Sequence, residues 1–214
     1  MNIAFLFYEG MTALDVIGPH EIICRLPGAK VFRVAKQKGN VTTDSAGLIL
    51  HAEYSLSDVS EADILVIPGA GRAPTLRDQP EILDWVRSIH AGTRYTVSVC
   101  TGSLILGAAG LLSGKKATSH WAALDRLSKW GAIPQEVRIV EDGKLITAAG
   151  VSAGIEMALL LTSKVAGVGF AKALQLGIEY DPAPPFDSGS PKKAPIAILE
   201  ALRTRMTAGF EKVL

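Results

Sequence analysis

Of the two cysteines in the chain, Cys100 stands where a thiol could do chemistry. It closes the short apolar, β-branched run Tyr95-Thr96-Val97-Ser98-Val99. Thr101-Gly102-Ser103 follow it, and then the alanine-rich stretch Leu104 to Leu112. That order reads as a buried strand, a sharp turn and a helix, with the cysteine on the turn. The partial positive charge of a helix start favours a thiolate over a thiol. The other common use of a cysteine is as a small buried hydrophobe, but a core cysteine does not require a glycine-rich turn directly after it. As a nucleophile, Cys100 needs a proton-transfer partner and donors for developing charge.

Asp15 is the candidate acid/base, because it lies just beyond the carboxyl end of the first apolar run. A carboxyl near a thiol, in a pocket lined by Leu14, Ile17 and Val151, has its pKa raised by desolvation and by thiolate charge. It can then hold a proton at neutral pH and release it during reaction. The spacing Thr12 to Asp15 equally fits a helix start, so a capping role alone stays open. Two turns are candidate substrate-binding segments, Gly69-Ala70-Gly71 and Gly150-Val151. Their glycines let backbone approach a ligand, and N–H groups of the first, with that of Thr101, could face developing charge. Tight strand-to-helix turns are the alternative. Thr101 stands where a cysteine hydrolase would place a histidine; its hydroxyl can orient water or a proton but is no base near pH 7. His120, beside Trp121 and near a strand end, is the reserve candidate, with a structural histidine as its alternative. His20, His51 and His90 belong to no constellation, Cys24 reads as core, and the G-x-S-x-G spacing is absent. Two cysteines make neither a disulfide framework nor a metal-ligand pattern.

These residues need a scaffold that gathers them. Ile3–Tyr8, Lys30–Lys36, Asp63–Ile67 and Tyr95–Val99 have the length and composition of buried parallel strands. Helical patterns alternate with them: Thr12 to Leu26, kinked or restarted at Gly18-Pro19, Gln79 to Ala91, and the stretch after Cys100. A helix from His120-Trp121 to Trp130 follows. Val41–Thr43 and Leu48–His51 flank Asp44-Ser45-Ala46-Gly47 as a small extra hairpin off the main sheet. Asp142-Gly143 joins a second hairpin, Val137–Glu141 with Lys144–Ala148. Ser152 is placed to cap a helix from Ala153 to Glu179 that breaks near Gly167 and Gly169, and the proline-rich loop Asp181–Pro191 leads to a last helix, Pro195–Lys212. The alternation predicts an α/β fold, a mostly parallel sheet with helices on both faces. Ligands in such sheets bind at the carboxyl ends of the strands, where Asp15, Gly69–Gly71, Cys100 and Gly150-Val151 then meet.

Bulk properties narrow the function. The 214 residues carry a formal net charge of +1 and are 48% hydrophobic and 20% charged, which excludes a disordered chain. Lysines pair only at Lys115-Lys116 and Lys192-Lys193, so there is no basic stripe and no nucleic-acid partner. Glu156, Lys164, Lys172 and several glycines interrupt Ile155–Leu176, which excludes a membrane span. The N-terminus lacks a basic leader and reads as a first strand, and free thiols point to a reducing cytoplasm.

Leu14-Asp15 with Gly18-Pro19, Ile67-Pro68-Gly69 and the elbow Val99-Cys100-Thr101-Gly102-Ser103 resemble the ThiJ/PfpI superfamily. Ser98 to Leu112, Ser119-His120-Trp121, Gly150 to Ile155 and Glu179 to Phe186 resemble its isocyanide hydratase (isonitrile hydratase) subgroup. The likeness spans nearly the whole chain, 1–214, as one domain. It implies a flavodoxin-like fold, a nucleophile elbow at Cys100, an Asp15 acid/base partner and a homodimer. Many superfamily members carry glutamate at the acidic position; the shorter aspartate matches the subgroup. Ala70-Gly71-Arg72 departs from the expected small residues, which leaves the backbone donors and any narrowing by Arg72 open. The same domain heads some transcriptional regulators, but no helix-turn-helix follows here before Leu214. The implied activity is hydration of a small apolar isocyanide to an N-substituted formamide, a lyase reaction without metal or organic cofactor. A glyoxalase-like carbonyl enzyme and a redox-sensing or ligand-binding module are the alternatives.

Overall fold

The apolar runs pair side by side as expected. In the computed structural model, which describes residues 1–71 and 79–210 with side chains up to residue 206, the strands in chain order are β1 (Asn2–Leu6), β2 (Lys30–Ala35), β3 (Gly39–Thr42), β4 (Ile49–Ala52), β5 (Tyr54–Ser55), β6 (Ile64–Ile67), β7 (Tyr95–Val99), β8 (Lys116–Ala117), β9 (Ile133–Pro134), β10 (Ile139–Asp142) and β11 (Leu145–Ala148). The described α-helices are α1 (Ala13–Ile23), α2 (Pro80–Gly92), α3 (Gly102–Ala108), α4 (Ala153–Ala166), α5 (Val168–Gly177) and α6 (Ile196–Phe210). Seven strands form the main sheet in the order β10-β11-β7-β6-β1-β2-β5, and only the β10–β11 pairing is antiparallel. β3 and β4 make the expected extra hairpin as a separate antiparallel pair. The central strands β1, β6 and β7 are almost wholly buried, as continuous β-branched and apolar runs covered on both faces must be.

Three local expectations change. α1 runs unbroken through Gly18-Pro19 instead of restarting at Pro19. Proline costs that helix one internal hydrogen bond, but the same residues create a close contact with α4. A Cβ on Gly18 would lie 3.0 Å from Ile155, and one on Gly154 would lie 3.1 Å from Val99 and 3.2 Å from Pro19. Packing at the second, glycine-thin crossing uses the proline ring as a surface. α3 stops at Ala108, well before Leu112, and Gly110 adopts φ +76. Trp121–Trp130 is a run of 3-10 turns rather than an α-helix, closed by Gly131 at φ +70. The break between α4 and α5 falls at Gly167, as expected. Among the described residues no helix is long and apolar enough to cross a membrane.

β6 and β7 run parallel in register, Ile67 opposite Ser98, so the turns that follow them lie against each other. The fit leaves no room for side chains. A Cβ on Gly102 would sit 2.9 Å from the Pro68 carbonyl and closer still to that of Ile67; one on Gly69 would sit 2.5 Å from the Thr101 nitrogen and hydroxyl. Gly102→Ala therefore has to push backbone against backbone and is expected to lower stability by about 2–3 kcal/mol. Gly92→Ala, with open space around it, is expected to change stability little. Thermal melts of the two variants check the contrast, and an equally small effect from both would refute the close approach.

Candidate active site

Cys100 follows the last residue of β7 and has φ +57, in the left-handed region that non-glycine residues rarely adopt. The surroundings hold it there from both sides. Its N–H donates to the carbonyls of Ala148 (3.1 Å) and Ala149 (2.8 Å), just past the neighbouring strand. Its own carbonyl accepts from the hydroxyls of Ser119 (3.1 Å) and Ser103 (3.3 Å). This is a strained strand-to-helix elbow, and four hydrogen bonds hold it in place.

Asp15, in the first turn of α1, has no exposed surface. Its Oδ2 accepts 2.8 Å from the Gly69 N–H, across the sheet end, and not from the start of its own helix. The capping alternative is thereby removed: Thr12 occupies the N-cap, but its hydroxyl donates 2.7 Å to Asp44. The Asp15 carboxyl is pushed up to about 7, chiefly by burial and in smaller part by the Asp44 charge, against the Gly69 N–H and the Cys100 thiol, which pull it down. The Cys100 thiol is close enough to the carboxyl to bias its titration. It stabilises the carboxylate, yet Oδ1 makes no hydrogen bond of regular geometry among the described residues.

The thiol departs from expectation. Cys100 is 4% exposed, and burial, then the Asp15 charge, drive its pKa well above the ordinary value. The Thr101 N–H and hydroxyl act in the opposite direction without winning. The seven-residue α3 begins two residues after the cysteine, and the thiol is raised all the same. The resting group is a thiol beside a carboxyl that titrates near neutrality.

Three consecutive N–H groups define the opposite wall. Gly69 donates to Asp15, Ala70 to the Thr101 hydroxyl (2.8 Å) and Gly71 to Asp44 (2.7 Å). The Thr101 hydroxyl in turn donates 3.0 Å to the Ala70 carbonyl. The turn expected to offer free donors to a substrate thus spends all three on side chains of this chain. Arg72 lies outside the described residues.

Gly150 and Val151 line a cavity of about 420 Å³ next to the elbow, together with Leu14, Ser119, His120 and Trp121. Leu124, Val137 and Pro191 extend its apolar wall, the last from the proline-rich loop. Charges at its rim are paired internally: Arg138 with Glu156, and Lys192 with Glu136. Ile17 turns instead to a separate hollow shared with His20, Arg33 and Leu50. His120 packs its ring against Gly150, and its Nδ1 accepts from the Ala122 N–H at 3.2 Å. The ring proton therefore sits on Nε2, and burial lowers the pKa to about 4, so the imidazole is neutral. Ser152 stands at the start of α4 without capping it and receives Arg138 instead. Cys24 is half-buried.

Two residues escaped the sequence reading. Tyr8 is buried with its hydroxyl donating 2.8 Å to the Pro68 carbonyl, and its charge state couples to Asp15 and Cys100. Asp44, from the β3–β4 hairpin, reaches both Thr12 and Gly71. Neither belongs to a local motif; only the proximity of Asp44 to a turn signal marked it at all.

A mostly parallel α/β sheet with a strained cysteine elbow and a buried carboxyl at its strand ends defines the class of α/β protein to which this chain is compared. The chain belongs to the DJ-1/PfpI family, whose pattern matches residues 1–164. It is 46% identical over 206 residues to the isonitrile hydratase of Pseudomonas putida, covering 96% of this chain and 90% of that one. A crystal structure of a ThiJ/PfpI family protein from Pseudomonas syringae superposes with TM-score 0.94 at 41% identity, covering 99% of this chain and 88% of the other. Toxoplasma gondii DJ-1 shares the fold, with TM-score 0.74 at 22% identity over 85% of this chain and 99% of that one. The sheet flanked by helices is the flavodoxin-like architecture of that family.

The titration of Asp15 has a thermodynamic signature. Its carboxyl has a pKa of about 7 when folded and near 3.8 when free. The folded chain holds the proton more tightly, so this contribution to stability is full below about pH 4 and is lost as the pH rises through 7. Asp15→Asn can keep an oxygen for the Gly69 N–H and removes the titration. It is expected to be more stable than wild type by about 2–4 kcal/mol at alkaline pH, with the gap closing towards about pH 4. Denaturant melts across that range check it, and a gap independent of pH would refute the shifted carboxyl.

Proposed function

We propose that this protein hydrates isocyanides to N-substituted formamides. The observation that carries the reading is the pairing of a buried cysteine elbow with a buried carboxyl that exchanges its proton near pH 7. The similarity to an isonitrile hydratase over 96% of the chain supports it. Asp15, as carboxylate, takes the proton from Cys100 Sγ and delivers it to the isocyanide carbon as the sulfur bonds to that same carbon. The product is a thioimidate, R–N=CH–S. Water, oriented by Asp15, adds to the carbon while a proton passes to the nitrogen; the Thr101 hydroxyl, expected to share in orienting it, is held by Ala70 instead. The C–S bond then breaks, the sulfur regains a proton, and R–NH–CHO leaves. Atoms balance as isocyanide plus water.

The N-substituent lies in the cavity bounded by Gly150, Val151, Trp121 and Val137, whose internally paired rim charges suit an uncharged ligand. Gly69, Ala70 and Gly71 serve by setting Asp15 and Thr101 rather than by donating to substrate. The same reading takes the working unit as a homodimer. Leu14 (44% exposed) and Ile17 (37%), three residues apart on α1, are exposed apolar side chains that such an interface would cover. The compartment it implies is a reducing cytoplasm. Burial of the thiol as a protonated group disfavours ready oxidation, so no observation favours the redox-sensor alternative.

Purified protein with reduced Cys100 should convert methyl isocyanide and an aryl isocyanide to the formamides; no turnover above buffer overturns the reading. Cys100→Ala should fall to the buffer rate, and Asp15→Asn should lose about 10²–10⁴-fold in kcat while remaining folded. Full activity in Asp15→Asn would remove its acid/base role.

Filling the cavity separates its role from the chemistry. Val137→Trp should raise KM for the aryl isocyanide about tenfold or more and leave methyl isocyanide nearly unchanged. Equal effects on both would place the N-substituent elsewhere.

A further inference from the structure

The β3–β4 hairpin is an excursion from the main sheet, yet its turn reaches the segments that carry and hold Asp15. Asp44 Oδ2 accepts two short hydrogen bonds, from the Thr12 hydroxyl and the Gly71 N–H, both 2.7 Å. The Asp44 N–H donates 3.0 Å to the Met11 carbonyl, and the Thr12 N–H donates 2.8 Å to that of Gly69. The start of α1, the turn after β6 and the hairpin are therefore laced together. Within this lacing, N–H groups 69, 70 and 71 go in order to Asp15, Thr101 and Asp44. The first two acceptors are the proposed acid/base and the residue next to the nucleophile.

We propose that Asp44 is a positioning residue of the active site, holding the Gly69–Gly71 turn in the conformation that sets Asp15 against Cys100. It completes a three-acceptor bracket that would otherwise end at Ala70. Gly71 fits the role, because a Cβ there would lie 3.0 Å from the Asp44 carboxylate. The position also carries charge. Asp15 is faced by Cys100 from the elbow, by Asp44 from the hairpin and by the Gly69 N–H; Cys100 is faced by Asp15, Asp44 and Thr101; Tyr8 faces all three acidic groups from the end of β1. Glu9 accepts from the Thr42 N–H on the same hairpin. The Asp44 carboxylate raises the proton affinity of both Asp15 and Cys100, which keeps the proton available for transfer.

Two substitutions separate geometry from charge. Asp44→Asn can retain an oxygen for Gly71 and Thr12 and loses only the charge; Asp44→Ala loses both. The inference rests on the hydratase reading for its kinetic arm, so a second arm follows alkylation of Cys100 by iodoacetamide against pH, which needs no isocyanide. Asp44→Asn is expected to keep kcat within about threefold, while Asp44→Ala loses about tenfold or more in kcat with a smaller change in KM. In Asp44→Asn the alkylation profile should move to lower pH by about half a unit, since a partly solvated negative charge has gone. If wild type turns over no isocyanide, the hydratase reading fails and the alkylation arm still decides this one. Profiles and rates of both variants matching wild type would overturn the proposal. So would equal losses in both variants that track a falling Tm, because the amide would then have failed to rescue the geometry.

Discussion

A carboxyl group with no access to water lies beside a thiol with almost none, and the rest of the fold is arranged so that this can persist. Moving Asp15 from 3.8 to about 7 corresponds to about 4 kcal/mol against the ionised form. One charge-accepting hydrogen bond, from the Gly69 N–H, offsets part of that. A second negative charge on the sulfur would add to it, so at neutral pH the pair holds at least one proton between sulfur and oxygen. The stability needed to sustain such a site comes from the three buried central strands, which place both groups at their carboxyl ends.

The elbow follows the same logic. A left-handed cysteine costs free energy, and the bonds at its N–H and carbonyl come from four separate places: the end of β11, the residue after it, α3 and the segment before the 3-10 turns. Gly69 and Gly102 allow the turns of β6 and β7 to approach until no Cβ fits between them. That approach brings the Gly69 N–H to Asp15 and Ala70 to Thr101. Glycine here serves close approach rather than an unusual φ.

Strand and helix order was legible because apolar runs of strand length alternate with amphipathic ones, and a parallel sheet sends all of their carboxyl ends to one side. Cys100 and Asp15 were legible from that topology. The direction of the thiol pKa was not: sequence shows a helix start, but burial is a tertiary quantity, and here it prevails. The partner of Asp15 was equally hidden, since Thr12 and Asp15 have the spacing of a cap and only the fold brings Gly69 closer. Tyr8 and Asp44 carry no local signal for the site, because their partners lie 60 residues and 27 or more residues away in the chain. The unbroken α1 has the same origin: Pro19 reads as a break until its ring is seen packed on α4.

A protonated thiol is a poor nucleophile, so its presence at the centre of the proposed site needs a reason. In the proposed hydration the substrate supplies one. An isocyanide must gain a proton and a sulfur at the same carbon, and both reside in one S–H group. A carboxylate poised near pH 7 can carry that proton the short distance from sulfur to carbon without either partner bearing a full charge for long. A standing thiolate would make the sulfur more reactive, but it would leave the proton to be found elsewhere and expose the group to oxidants. Burial of both groups, which raises both proton affinities, fits a reaction whose first step moves one proton and one electron pair together. A histidine after the cysteine would instead favour a thiolate–imidazolium pair, and Thr101 occupies that position with a hydroxyl already committed to Ala70.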